Sequence, residues 1–162
     1  MNRRSMHGLY TVEFAIVGLL LFILLFGVLE MGRLLFTVNA LNETVRRGAR
    51  LAVVCDIRDP EILRRAVFAE AGGTTSTIIG NLDTADLRLR YLDEGGGAIA
   101  DPSPSGGFTS IRFVEVSIEG FRFNLLIPTL GGGLQLLPFR AVLPRESLGR
   151  HAEDVTPGIT PC

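Results

Sequence analysis

"FAIVGLLLFILLFGVL", residues 14–29, runs for 16 residues without a polar side chain, and widening the window to Leu9–Leu29 admits Thr11 and Glu13 over 21 residues. A helix rises about 1.5 Å per residue, so the wider window covers about 30 Å, the hydrocarbon thickness of a bilayer. The stretch reads as a transmembrane helix. A secretory signal would have a shorter apolar core with a small-residue cleavage site behind it. Here the run is followed instead by "EMGRLLFTVNALNETVRRGAR", residues 30–50. The apolar segment is therefore expected to stay in the mature chain. Arg3 and Arg4 lie just before it, which by the positive-inside tendency puts the N-terminus in the cytoplasm and everything after Glu30 on the far side.

Residues 31–54 continue as an amphipathic helix. Leu34, Val38, Leu41, Val45, Ala49 and Ala52 recur at steps of three and four, while Asn39, Glu43, Arg46 and Arg50 form the opposite stripe. Glu43 precedes Arg47 by four residues, the favourable order for a helical ion pair. No proline occurs between Leu9 and Asp59, so the two halves can form one rod of about 45 residues and about 68 Å. Less than half of it fits in lipid. The rest stands out, and its apolar stripe needs a cover.

That cover is expected from residues 55–162. In "RDPEILRRAVFAEAGG", residues 58–73, Asp59 is a natural N-cap, Pro60 suits the first helical position, Glu61 the first turn and Gly72 the terminator. In "DLRLRYL", residues 86–92, Leu87, Leu89 and Tyr91 alternate with Arg88, Arg90 and Leu92, the pattern of a strand with one wet face. Residues 94–107 are rich in turn formers. "SIRFVEVSIEGFRFN", residues 110–124, alternates as well, but its apolar parity slips at Phe113–Val114 and again near Gly120, predicting bulges or a strand covered on both faces. A last strand is predicted at Phe139–Leu143. The apolar loop "LLIPTLGGGLQLLP", residues 125–138, is expected to fold under the sheet; the alternative is a contact with another subunit or with the membrane surface. The fold class is α+β, pilin-like: a long membrane-spanning helix running into a small exported domain with a short helix and an antiparallel sheet of about three strands.

Net charge is −1 and no basic patch announces a nucleic-acid ligand. His7 and His151 stand apart from other metal-ligating residues, and neither the nucleophile-elbow, zinc-protease nor phosphate-loop pattern occurs. The glycine runs at 95–97 and 131–133 lack the strand–turn–helix setting of a phosphate loop. No enzymatic activity, cofactor, metal or small-molecule substrate is expected. Cys55 and Cys162 both fall on the exported side, where an even count favours a disulfide over two free thiols.

The N-terminus carries a further pattern. Arg3 and Arg4, then Gly8, then an apolar segment with Glu13 five residues beyond the glycine, is the layout of a type IV pilin-like precursor. In that layout a leader, here residues 1–8, is clipped between Gly8 and Leu9 and the helix is retained. The new amine on Leu9 would sit one turn from Glu13 and give this costly intramembrane carboxylate a partner of the right sign, on the same or a neighbouring subunit. The alternative is that Glu13 snorkels to water at the headgroups.

Together, Gly8, Val12-Glu13-Phe14-Ala15, the apolar run, Glu30, Gly32 and Arg33, and Arg47-Gly48-Ala49-Arg50 resemble the TadE-like pseudopilins of the tight-adherence, or Flp, pilus machinery. The resemblance covers residues 8–54. A looser likeness spans residues 114–147 and ends at Glu146. Where that family often has a proline, this chain has Leu19, preceded by Gly18, so no kink is expected. The resemblance implies a prepilin peptidase substrate in the bacterial inner membrane. It further implies a minor or accessory subunit in pilus assembly and surface attachment, with other pilin-like subunits and the assembly platform as partners and Val12, Glu13 and Phe14 at helix–helix contacts. The competing expectation is an uncleaved, single-pass accessory protein whose exported domain binds a partner.

Overall fold

A computed structural model of the chain describes residues 6–57, 59–103, 106–126, 132–150 and 162. Leader residues 1–5, residues 127–131 of the apolar loop and tail residues 151–161 lie outside it, as does His151. The first element is a single helix, α1, Met6–Val54, 49 residues long, or about 74 Å at 1.5 Å per residue. It continues without a break through Gly18 and Leu19, as expected of a chain with no proline to remove a backbone donor.

The apolar stripe of its second half is the wall on which the domain is built. Leu41, Val45, Ala49, Ala52 and Val53 are buried, while Asn39, Glu43, Arg46 and Arg50 face out. Against the stripe pack a short helix, α2 (Pro60–Ala66), and an antiparallel sheet of β1 (Leu87–Leu92), β2 (Phe113–Ile118) and β5 (Phe139–Pro144) in the order β1-β2-β5. Strands β3 (Arg122–Asn124) and β4 (Gly133–Gln135) form a separate hairpin.

The inner face of the sheet carries Leu87, Leu89 and Tyr91 from β1, Val114, Val116 and Ile118 from β2, and Phe139, Ala141 and Leu143 from β5, and these meet the helix stripe in two buried clusters that Leu89 and Leu143 both flank. The outer face is charged. Glu115, buried in the middle of β2, lies opposite Arg90 of β1 at 3.7 Å and is ion-paired with Arg140 of β5; Glu119 meets Arg88 and Arg90, each at 3.8 Å. The arginine stems shield the central strand while their heads stay wet. Of the two explanations for the parity slip at Phe113–Val114, coverage on both faces is the one found: the register of β2 with both neighbours is unbroken from Phe113 to Ile118. The slip near Gly120 is a bend, with Gly120 at φ 72° separating β2 from β3.

Three expectations are corrected. Asp59 does cap α2, accepting the Glu61 amide at 2.9 Å, and Pro60 opens it, but the helix ends at Ala66 rather than near Gly72. Phe68 adopts a left-handed conformation, φ 59°. The break lets Val67 bury itself in the core and places the Phe68 ring beneath the Arg47 guanidinium, 4.6 Å from its centroid. Glu43 and Arg47 form no ion pair among the described residues. The apolar loop, in its described part, does not fold under the sheet. Leu136 packs on the core, but Leu126 is 65% exposed and Leu137 84%.

The top of α1 is closed by the turn after β5. Leu148 and Gly149 donate their amides to the Val53 and Val54 carbonyls at 3.0 and 2.8 Å, and the Ser147 hydroxyl donates to Val54 at 3.1 Å. These carbonyls would otherwise be unpaired at a helix end. Beside them Cys55 is joined to Cys162, with Cα atoms 5.4 Å apart across 107 residues of chain. The Cys162 amide also donates to Asp59 at 2.8 Å. A loop of that length is worth about 4–5 kcal/mol in the chain-entropy model.

Among the glycines of α1, Gly48 is the one held close to the domain. A Cβ there would lie 3.1 Å from the Ala66 Cβ and 3.2 Å from a Val116 methyl, whereas at Gly32 it would meet nothing within 4 Å. Gly48→Ala is expected to destabilise the domain by about 1–3 kcal/mol through overpacking. Gly32→Ala should stabilise it by about 0.5–1 kcal/mol through helix propensity alone. Thermal melts of the full chain in detergent check the opposite signs; equal shifts would show that Gly48 is not a packing constraint.

Candidate functional site

The first 22 residues after His7 hold the candidate site because nothing among the described residues covers them. Every side chain from Leu9 to Leu29 is exposed, Phe14 at 79%. This half of α1 is long and apolar enough to cross a membrane. Its geometry is a bare cylinder on which Leu9, Val12, Glu13 and Phe14 are all available, and Gly8 is already helical. Glu13 has no ion pair or hydrogen bond among the described residues. A carboxylate at this depth is costly without a cation or donor beside it. The arrangement therefore suits lateral packing against other helices, with Glu13 as the polar contact.

Burial begins at the next charged residue. Glu30 is only 7% exposed. Its carboxylate accepts two hydrogen bonds from one Arg33 nitrogen, at 2.9 and 3.1 Å, and receives the backbone amide of Leu126 at 3.3–3.4 Å. Arg33 in turn lies over the Phe123 ring, 5.1 Å from its centroid. The pair thus clamps the β3–β4 hairpin to the helix one residue beyond the apolar run. Between α1 and the domain a cleft of about 560 Å³ opens at the same level, lined by Val28, Leu29, Gly32, Arg33 and Phe36 of the helix and by Ile78–Asn81 and Phe121–Asn124.

The other resemblance-derived residues do not join this site. Arg47 stacks on Phe68, Gly48 makes the close approach to α2 and β2, Ala49 is fully buried in the core, and Arg50 faces out. Arg47, Gly48 and Ala49 hold the domain on the rod, about five turns above the Glu30 clamp. The link from Glu30 to the hairpin is 96 residues long in sequence, and no local pattern announces it. The one available signal was the charge pair itself: an acid with an arginine three residues on, at the boundary of an apolar run, will be held by something.

Glu30→Ala is expected to leave the Leu126 amide and the Arg33 guanidinium without their acceptor and to cost about 1–3 kcal/mol. Hydrogen exchange of the full chain should then show faster exchange at Leu126 with β2 amides unchanged, and Glu30→Gln should restore most of the protection. Unaltered exchange at Leu126 in Glu30→Ala would mean that the hairpin is held from elsewhere.

No curated protein and no solved structure matches the chain. A family model, that of TadE-like proteins, matches residues 8–50, from the free end of the helix to just past Gly48, and over that segment the chain is similar to them.

Proposed function

We propose that this chain is a membrane-anchored pseudopilin, a minor or accessory subunit in the assembly of a tight-adherence pilus, and not an enzyme. The observation that carries the reading is the coincidence of the segment similar to TadE-like proteins with a helix whose first half is apolar and exposed among the described residues. In a bilayer that half spans the inner membrane; in an assembly it packs against other pilin-like helices and the assembly platform. Arg3 and Arg4 orient the N-terminus to the cytoplasm, and the Cys55–Cys162 bond fits a domain held in an oxidising compartment.

In this reading a prepilin peptidase cuts between Gly8 and Leu9. The cut creates a cationic amine about 6 Å along the helix from Glu13, which is four residues on. A charge pair in a low-dielectric setting is strongly attractive when each partner would otherwise stand alone. Glu13 so placed sets the register of a neighbouring subunit's amine.

Sequencing the N-terminus of protein made together with its own peptidase should find Leu9 first. A chain that retains residues 1–8 would defeat the pseudopilin mechanism and leave an uncleaved accessory protein in its place. Glu13→Ala is expected to insert into the membrane normally yet lose about tenfold or more in co-purification with partner pilins, the equivalent of about 1.4 kcal/mol. Undiminished recovery of partners would remove Glu13 from the assembly contact.

A further inference from the structure

We propose that the membrane-facing end of the exported domain is a lipid-binding collar, with Ile78, Leu126 and Leu134 seated in the headgroup layer of the bilayer that α1 spans. The inference rests on the reading of α1 as a transmembrane helix. The first ground is height. Leu126 is fastened by its amide to Glu30, the residue directly after the apolar run. Twenty-one residues from Leu9 to Leu29 rise about 31 Å, the thickness of the hydrocarbon core, so the residues level with Glu30 meet headgroups and not bulk water.

The second ground is what the domain presents at that height. Leu126 is 65% exposed, and Ile78 and Leu134 are each 48% exposed. They come from two separate pieces of chain. Ile79, buried in the core, and the Ser76 hydroxyl, which accepts the Ile78 and Ile79 amides at 3.3 and 3.1 Å, pin the turn that pushes Ile78 outward. Phe123, buried against the helix, pins the hairpin, and Leu134, its partner in the register, lies on the same face beside it and stays 48% exposed. Each loop is thus fastened by a buried residue while an apolar side chain next to it stays exposed.

The third ground is continuity. The cleft at this level has Val28 and Leu29 on one wall, and these belong to the apolar run itself; Ile78 and Phe123 form the other. Its lower mouth therefore opens on lipid. Arg33 and Arg122 also line it, and the Arg122 side chain is exposed. Guanidinium groups at headgroup height beside apolar side chains match a phospholipid surface, since each finds phosphate at that level. The collar would hold the domain down on the bilayer.

The chain contains no tryptophan, so single tryptophans report each position without background. Leu126→Trp, Ile78→Trp, Val142→Trp and Leu19→Trp are made in the full chain and reconstituted in vesicles of phosphatidylcholine and phosphatidylglycerol. Val142 is exposed on the strand that leads to the top of α1, and Leu19 lies mid-span. Quenching is read with a spin label on the lipid headgroup and with one deep on the acyl chain. The headgroup label should quench Leu126→Trp and Ile78→Trp at least about twofold more than Val142→Trp, with blue-shifted emission, as expected of interfacial aromatic side chains. The deep label should quench Leu19→Trp. If Leu19→Trp is quenched while the collar positions behave like Val142→Trp, the collar is refuted and the span stands. Blue-shifted collar emission without lipid quenching would assign the surface to a protein partner or a second copy and overturn the proposal. An unquenched Leu19→Trp would remove the span and the collar together. Using two positions on unrelated loops guards against local misfolding of either one.

Discussion

A helix that is apolar all round for its first half and apolar on one stripe for its second must satisfy two solvents in succession, and the changeover falls on the Glu30 carboxylate. Below it, the helix side chains are exposed among the described residues, with Val28 and Leu29 bordering the cleft; above it, the buried residues of the stripe are covered by the domain. An acid at such a boundary cannot be left bare, because neither lipid nor a packed interior solvates it. Glu30 is met on one side by Arg33, from its own helix, and on the other by the Leu126 amide. The same contact therefore ends the free half and fixes the height of the hairpin.

The rest of the domain follows from having to cover a single stripe. One helix face about three side chains wide cannot be sealed by a lone strand, so a three-stranded sheet supplies the inner residues and α2 closes the flank beside Gly48. The central strand then becomes buried from both directions. Glu115 on its outer face is tolerated because Arg90 and Arg140 from the strands on either side bring charge to it and lay their stems over it. Both termini of this layer are fastened at the top of α1, by the turn at Leu148 and Gly149 and by the disulfide to Cys55. Attachment at the top through Cys55 and at the bottom through Glu30 leaves the domain little freedom to swing on the rod.

Much of this was legible in the sequence where the signal is local and periodic. The rod, its buried stripe, β1, the start of α2 and the last strand all follow from spacing, because one side chain in two or in 3.6 must find the core. What was not legible depends on contacts far apart in the chain. Phe68 leaves the helix early in a left-handed turn because Arg47 offers its ring a cation, and the local sequence up to Gly72 gives no hint of it. The hairpin could not be separated from the sheet because β3 has strand alternation whichever neighbour it pairs with; docking Phe123 under Arg33 decided the matter. The loop's exposed leucines were read as core for the same reason: composition alone does not distinguish a side chain sheltered by the domain from one held out beside the rod.

The TadE-like residues fall into two physically distinct sets. Glu30 and Arg33 dock the hairpin, Arg47 stacks on Phe68, Gly48 admits α2 and β2, and Ala49 lies in the core. Each of these has a reason inside the molecule. Val12, Glu13 and Phe14 touch nothing among the described residues, and replacing them would alter no packing there. Nothing in the described fold requires them, and a carboxylate such as Glu13 is costly to place in lipid without a partner. The two sets meet at Glu30, so the docked domain and the helix surface left for partners are fixed in register along one rigid rod. Were a neighbouring helix to pack on Val12, Glu13 and Phe14, that one contact would also set the height of the docked domain, because a single unbroken helix carries both.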